Sequence, residues 1–304
     1  MVIFNYYLQN FCDETGEFMR IYLSVTGVIV FIFLLAAFPL ALDIASGNLS
    51  FHFDTAWKLV KDYFGGIISG DSFYYLEGKD RNQSFLKDVP GFFLTSFLYL
   101  ITAAIISVCI GVLIAVWHSK SKQEWIKDII GFLGMIPDFI LVLILQLGVV
   151  FIYEATGERI ARIATRGVGE HAILLPLITL SIVPAIYLIR TLGERTYDVL
   201  SEDYILTAKA KGLQKLYIFI QHVIRNVLPY LKADLHKVIA IMMSNIFIVE
   251  YLFNINGLSA FLFNVSYQFD LTVNILISLI VLYLLLYWGV RLFIACLERI
   301  FSHD

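Results

Sequence analysis

Six apolar runs, each long enough to cross a bilayer as a helix, constrain this chain more than any other feature. A helix rises 1.5 Å per residue, so about 20 apolar residues span the roughly 30 Å hydrocarbon layer. Ile21 to Leu42, Val89 to Trp117, Ala172 to Ile189 and Leu271 to Val290 contain no charged residue. Ile129 to Tyr153 contains one, Asp138, and Val238 to Asn254 contains Ser244, Asn245 and Glu250. Backbone polar groups in lipid must be satisfied within the chain, which leaves helices as the reading of such runs. The pattern predicts an all-α polytopic membrane protein. It assigns six transmembrane helices to 21–42, 91–117, 129–153, 172–190, 236–254 and 271–293. Residues 1–20 form a short N-terminal segment. The first run follows Asp13, Glu14, Glu17 and Arg20 rather than a basic stretch, so it reads as a retained span, not a cleaved leader.

Composition agrees. Of the 304 residues 59% are hydrophobic and only 15% charged, too few for a soluble globule of this size. The formal net charge is −3, so no basic field argues for nucleic acid. Cys12, Cys109 and Cys296 form no C-x-x-C pair, and two lie in apolar runs, which supports neither a disulfide framework nor a metal knuckle. Six spans put both termini on one side. With the termini inside, 14 of the 22 Lys and Arg fall in inner segments, eight of them from Arg190 to Lys237. That bias predicts cytoplasmic termini and a cytoplasmic loop at 191–232.

The segment 43–88 is then extracytoplasmic. Trp57, Val60, Phe64, Ile67 and Ile68 follow helical spacing, and Gly65, Gly66 and Gly70 are expected to interrupt it. Two readings stand. The segment is an outer subdomain that touches a partner or covers a pathway, or it is an amphipathic helix at the membrane boundary anchored by Trp57 and Tyr63.

Within the inner loop the sequence Asp203–Leu213 reads D-Y-I-L-T-A-K-A-K-G-L. Thr196 to Lys211 suits a helix, Gly212 interrupts it, and a second helix follows. Leu213, Leu216, Tyr217, Ile220, Ile224, Val227 and Leu228 share one face of that helix, and Pro229 is expected to end it. Gly212 tolerates a bend that other residues resist. Ala208 and Ala210 leave room for another surface, and Lys209 and Lys211 can rim the contact. A connector lying on the inner leaflet, its lysines drawn to anionic lipid, fits the same residues. Asp138 and Glu250 are the candidate pathway or gate residues, because a charge in a span is costly unless it faces protein or water. A structural hydrogen bond for Asp138 beside Pro137, and a helix-end contact for Glu250, are the alternatives. The histidines show no metal-ligand spacing, and no metal site is expected.

The run E-D-Y-I-L-T-A-K-A-K-G-L, with His222 and Asn226 after it, resembles the cytoplasmic signature of binding-protein-dependent ABC-transporter permeases. It is most similar to the oligopeptide/dipeptide/nickel branch, with its D-Y-x-x-T-A-R-A-K-G-L pattern. Leu174–Leu180, Ile136–Phe139, Gly111–Ala115 and Glu250–Leu258, with Asp270 downstream, resemble further elements of that family. The likeness covers about residues 20–300, and the long first outer loop suits the B-type subunit. The chain departs at Pro39-Leu40-Ala41-Leu42, where the family has P-G-D-P, and at Asn256-Gly257-Leu258-Ser259, where it has P-G-L-G. The family's D-P-R near the C-terminus is absent.

The resemblance implies a type I ABC importer permease fold. It implies a second homologous permease subunit, two cytoplasmic ATPase subunits and an extracytoplasmic substrate-binding protein as partners, within a lipid bilayer. ATP and Mg would sit on the ATPases, with no cofactor in this chain. The loop residues Asp203, Tyr204, Thr207, Ala208, Lys209, Ala210, Lys211, Gly212 and Leu213 would couple to the ATPases. The substrate would be a peptide or similar small solute. In agreement, the chain has no phosphate-binding G-x-x-x-x-G-K-[ST]; Gly78-Lys79 lacks the first Gly and is followed by Asp80. H-E-x-x-H and G-x-S-x-G are also absent, so no enzyme is expected. An ion-coupled secondary transporter and a non-transporting membrane scaffold remain the competing classes.

Overall fold

The computed structural model of the chain describes residues 23–43, 50–78, 81–119, 124–165, 167, 170–214 and 217–302. The expected N-terminal segment 1–20 lies outside the described residues. Six helices are long and apolar enough to cross a membrane: Leu23–Ala41, Phe85–Ala115, Asp138–Thr156, Leu174–Leu200, Gln221–Leu252 and Phe269–Ile300. Contacts divide the chain into two compact units. One comprises residues up to 88 with 265–278, the other 89–264 with 279–304.

In the first unit, α1 (Leu23–Ala41) leads into a short antiparallel pair, β1 (Leu42–Asp43) with β2 (Ser50–Phe51). Helix α2 (Phe53–Ser69) follows, then a 3-10 turn at Asp71–Phe73 and a hairpin of β3 (Tyr74–Glu77) and β4 (Arg81–Ser84). The glycines at 65 and 66 do not interrupt α2, contrary to the expectation; it ends at Gly70 (φ 90°). The reason lies in packing. A Cβ on Gly66 would come within 2.1 Å of Ser72 Oγ, so the glycine lets the returning chain press against the helix. Ser72 donates to the Tyr63 carbonyl at 2.9 Å. Tyr63 donates to Asn274 Oδ1 at 2.7 Å, and Asn274 Nδ2 donates to the Ser72 carbonyl at 2.7 Å. Gln268 extends the hairpin as a strand would. Its Oε1 accepts from the Leu76 N–H at 2.8 Å and its Nε2 donates to the Leu76 carbonyl at 2.9 Å. Tyr75 donates to Asp88 at 2.9 Å. Burial and the neighbouring Asp270 carboxylate push the Tyr63 phenol up to about 12.

The second unit is built on α3 (Phe85–Ser119), α4 (Glu124–Leu133), α5 (Asp138–Thr156), α6 (Leu174–Leu200), α7 (Asp203–Ala210), α8 (Arg225–Leu252), α9 (Ala260–Asn264) and α10 (Phe269–Ser302). A π-helical segment, Ile218–Ile224, runs into α8. Helix α6 is the most enclosed of the six spans, with about half of its apolar stretch buried, and it packs extensively against α8. The α3–α6 contact is close. Ser107 Oγ donates to the Ser181 carbonyl at 3.0 Å and Ser181 Oγ to the Ala103 carbonyl at 3.3 Å. A Cβ on Gly111 would lie 2.7 Å from Leu188 Cβ. Small residues at such a seam let two backbones approach, which drives packing where lipid removes the hydrophobic contribution.

The third apolar run is divided. Gly134–Pro137 separates α4 from α5, and Arg190 Nη2 donates to the Gly131 carbonyl at 3.4 Å. Pro137 cannot continue a helix from its missing N–H, so α5 begins after it. Pro229, expected to end a helix, lies inside α8. It removes one backbone bond near the start of a 28-residue helix, where the preceding π turn is already wide.

Candidate functional site

The continuous helix expected over Thr196–Lys211 is broken at Ser201–Glu202, and the D-Y-I-L-T-A-K-A run forms α7 by itself. Glu202 is extended (φ −70°, ψ 145°), as a residue just before a helix must be, and Asp203 places its charge in the positive first turn. The helix closes on a Schellman motif. The Leu213 N–H donates to the Ala208 carbonyl at 3.3 Å and the Gly212 N–H to the Lys209 carbonyl at 3.0 Å. Gly212 has φ +76°, and a Cβ there would meet nothing within 4 Å. Glycine is required by the backbone at this position, not by space.

One face of α7 belongs to the chain's own packing. Ile205 and Ala208, three residues apart, are buried at 0% and 6% exposure. Tyr204, Thr207, Lys209, Ala210, Lys211, Gly212 and Leu213 are exposed, as are Asp203 and Leu206. Ala208 therefore packs inward, while Ala210 sits on the outer face. Asn226 fastens the element to the following helix: its Nδ2 donates to Tyr204 Oη at 2.9 Å and to the His222 carbonyl at 2.7 Å. The His222 ring lies between those of Tyr204 and Tyr217 at 6.2 Å from each. Partial burial raises the Tyr204 phenol above its ordinary range against the opposing Asn226 bond, so it stays protonated. The result is a short, capped helix, locked to the chain on one face and bare on the other.

Glu250 is 2% exposed at the end of α8, and its carboxylate is occupied by its own chain. Ser96 Oγ donates to one oxygen at 2.5 Å. The other accepts from the Ser259 N–H at 2.9 Å and from Ser259 Oγ, while the Ala260 N–H donates to the Gly257 carbonyl at 3.0 Å. Ser96 Oγ in turn accepts from the Leu258 N–H at 2.7 Å. The carboxylate thus caps α9 and ties it to α3 and α8. A Cβ on Gly257 would fall 2.0 Å from Glu250 Oε1, so this glycine makes room for the clasp. Nearby, Asn254 donates to the Thr165 carbonyl at 3.0 Å and the Thr165 N–H to the Phe253 carbonyl at 2.9 Å. Ser96 and Ser259 gave no signal in sequence, because each is a single small polar residue in an apolar or loop context.

Asp138 is the first residue of α5, half-buried, with its charge at the helix's positive end. Its carboxyl is close enough to interact with Asn245 of α8. Asn245 is 1% exposed, and neither amide atom makes a hydrogen bond of good geometry. The structure does not bring Asp138, Glu250 and the α7 loop together into one constellation. Among the described residues no group of three His, Cys, Asp or Glu could hold a metal ion.

The family described as "Binding-protein-dependent transport system inner membrane component" matches residues 107–303. The chain belongs to this family. Its six apolar helices accord with that membership and make it a multi-pass membrane protein with the ABC importer permease fold. Among relatives, it is 29% identical over 174 residues to the dipeptide transport system permease protein DppB of Bacillus subtilis (strain 168), covering 56% of this chain and 54% of the relative. It is 27% identical over 173 residues to the metal-staphylopine import system permease protein CntB of Staphylococcus aureus (strain NCTC 8325 / PS 47), covering 56% and 53%. It is 26% identical over 225 residues to the oligopeptide transport system permease protein AppB of Bacillus subtilis (strain 168), covering 72% and 71%. The chain thus spans about half the length of the first two and more of the third. Within the family match lie the α7 loop, Asp138, and Glu250 with Ser259, while Ser96 of the clasp precedes it.

Proposed function

We propose that this chain is one transmembrane permease subunit of an ATP-driven ABC importer for peptides or similar small solutes. It forms half of a translocation pathway with a second homologous permease subunit. Two cytoplasmic ATPase subunits, carrying ATP and Mg, drive it, and an extracytoplasmic binding protein delivers substrate. Both termini are cytoplasmic. The observation that carries this reading is the construction of α7. Its ends are fixed by a break at Ser201–Glu202 and a Schellman cap at Gly212. Its inner face is locked by Ile205, Ala208 and the Tyr204–Asn226 bond, and Leu206, Thr207, Lys209 and Ala210 on its outer face are exposed.

A rigid element so held transmits displacement instead of absorbing it. Helix α7 lies between α6 and the π segment that enters α8, and α6 and α8 pack extensively against each other. A subunit that moves α7 therefore moves both, which is how a two-state bundle converts nucleotide binding elsewhere into reorientation of its spans. The names of the relatives cover dipeptides, oligopeptides and metal–staphylopine, which supports peptide-like or chelate-like solutes as the substrate class.

Two exposed positions test the docking role without disturbing the fold: Lys209→Glu and Ala210→Trp. Losing about 2 kcal/mol of contact energy, the scale of one interface hot spot, weakens docking roughly thirtyfold. Both variants are expected to insert and pair normally while uptake and substrate-stimulated ATP hydrolysis fall together. Uptake at the unmodified level in both would overturn the assignment of this loop.

A further inference from the structure

The surface of α2 is divided into three sectors. With 100° between successive residues, Ala56, Leu59, Val60, Tyr63 and Gly66 fall on one side, and these are the positions buried or half-buried against the chain. Asp54, Lys58, Lys61, Asp62 and Ser69 fall on the opposite side and are exposed. Between the two, Phe53, Trp57, Phe64 and Ile68 line up within an arc of about 60°. All four are largely exposed, at 75%, 63%, 51% and 90%. Trp57, Phe64 and Ile68 by themselves make an exposed apolar stripe beside a charged face, and such a stripe needs an occupant.

The depth of the helix identifies it. Asp270 is the last charged residue before the 20 uncharged residues Leu271–Val290, about 30 Å of helix ending at Arg291. Asp270 therefore marks one hydrocarbon boundary. Tyr63, in the middle of α2, bonds Asn274, four residues further along the same helix. The Tyr63 ring packs edge-on against Phe269, centroids 6.2 Å apart. The middle of α2 thus lies at the boundary level, not above it in water. Its apolar stripe is continuous with a surface that faces lipid. The Phe64 ring lies 5.4 Å from Phe33 of α1, and beside Phe33 the residues Leu34, Leu35 and Phe38 of that span are about half exposed.

We infer that α2 is an interfacial membrane helix, with Trp57, Phe64 and Ile68 inserted among lipid acyl chains and Lys58 and Lys61 at headgroup level. Lys61 supports that placement: its Nζ lies 5.7 Å from the Trp57 ring, so the ammonium leans over the aromatic from the polar side. The loop between the first two spans is then tethered to the bilayer as well as to α1 and α10. The inference rests on the chain spanning a membrane and not on the docking role of α7, so either can fail without the other.

Site-directed spin labels decide it. Cys12, Cys109 and Cys296 are replaced by serine, Ile68→Cys and Lys58→Cys are labelled separately, and the full transporter complex is placed in lipid nanodiscs. Collision with oxygen, which concentrates in hydrocarbon, is compared with collision with a water-soluble nickel chelate. At 68 the oxygen signal is expected to dominate, and at 58, ten residues away on the same helix, the chelate. A chelate-accessible label at 68 would place the stripe in water and overturn the inference. A label at 68 shielded from both reagents would place it against another protein and overturn it equally. Emission of Trp57, made the single tryptophan by replacing Trp117, Trp125 and Trp288 with phenylalanine, provides a second measurement. Quenching by lipids brominated near the headgroup end of the acyl chain supports the inference, and quenching by aqueous iodide alone contradicts it.

Discussion

Replacing Gly257 with alanine is the sharpest test of the packing described above. The new methyl would sit 2.0 Å from Glu250 Oε1 and 2.1 Å from its Cδ, distances no real contact sustains. Either the loop or the carboxylate must move, and the carboxylate is the group with bonds to lose. It accepts from Ser96 and from both polar groups of Ser259 while only 2% exposed. Hydrogen bonds to a charged group contribute about 1.5–3 kcal/mol each, so losing two costs roughly 3–6 kcal/mol. Stability is read by thermal or denaturant unfolding of the purified protein in nanodiscs, as a double-mutant cycle with Glu250→Ala. Gly257→Ala is expected to be severe in the natural background and mild once the Glu250 carboxylate is gone, because the space is then free. A cost below about 1 kcal/mol in the natural background, or equal costs in the two backgrounds, would refute the reasoning.

Three further outcomes follow from single positions. Gly212→Ala introduces no clash but forces a side chain into the left-handed region at φ +76°, costing about 1–2 kcal/mol in the same unfolding assay; a neutral result would mean the cap relaxes. Gly111→Ala puts a methyl 2.7 Å from Leu188 Cβ and overpacks the α3–α6 seam by about 1–3 kcal/mol, and Leu188→Ala is expected to recover part of it. Asn245→Leu removes a buried amide that makes no good hydrogen bond and is expected to raise stability by about 1–3 kcal/mol. A lower unfolding midpoint for that variant would show that Asp138 satisfies the amide.

The legible part of the candidate site was the part held by local rules. The bend at Gly212 follows from a glycine behind A-K-A-K, and the cap it makes spans only six residues, Ala208 to Leu213. Ile205 and Ala208 share a face because helical positions three apart always do. The same local reading failed where neighbours in space overrode it. Gly65 and Gly66 pattern as breakers, yet Ser72 fills the groove that Gly66 leaves and the helix continues. Pro229 patterns as a terminator, yet the surrounding leucines, Leu228 and Leu231, are buried at 1% and 0% and outweigh one lost backbone bond.

Apolar runs of about 20 residues, four of them free of charge, pointed by themselves to six membrane crossings, because the cost of an unpaired backbone group in lipid leaves no other structure for them. Gly212 likewise determined the cap that ends α7, though not the break at Ser201–Glu202 that begins it. What the sequence could not assign is which side of each span meets which neighbour. A helix apolar all round carries no amphipathic stripe to orient it, as in α3. Only the tertiary structure brings Ser96 to Glu250 across 154 residues and Tyr63 to Asn274 across 211. It alone makes Gly111 and Gly257 necessary, because a glycine's role at a close contact depends on the atom that arrives opposite it.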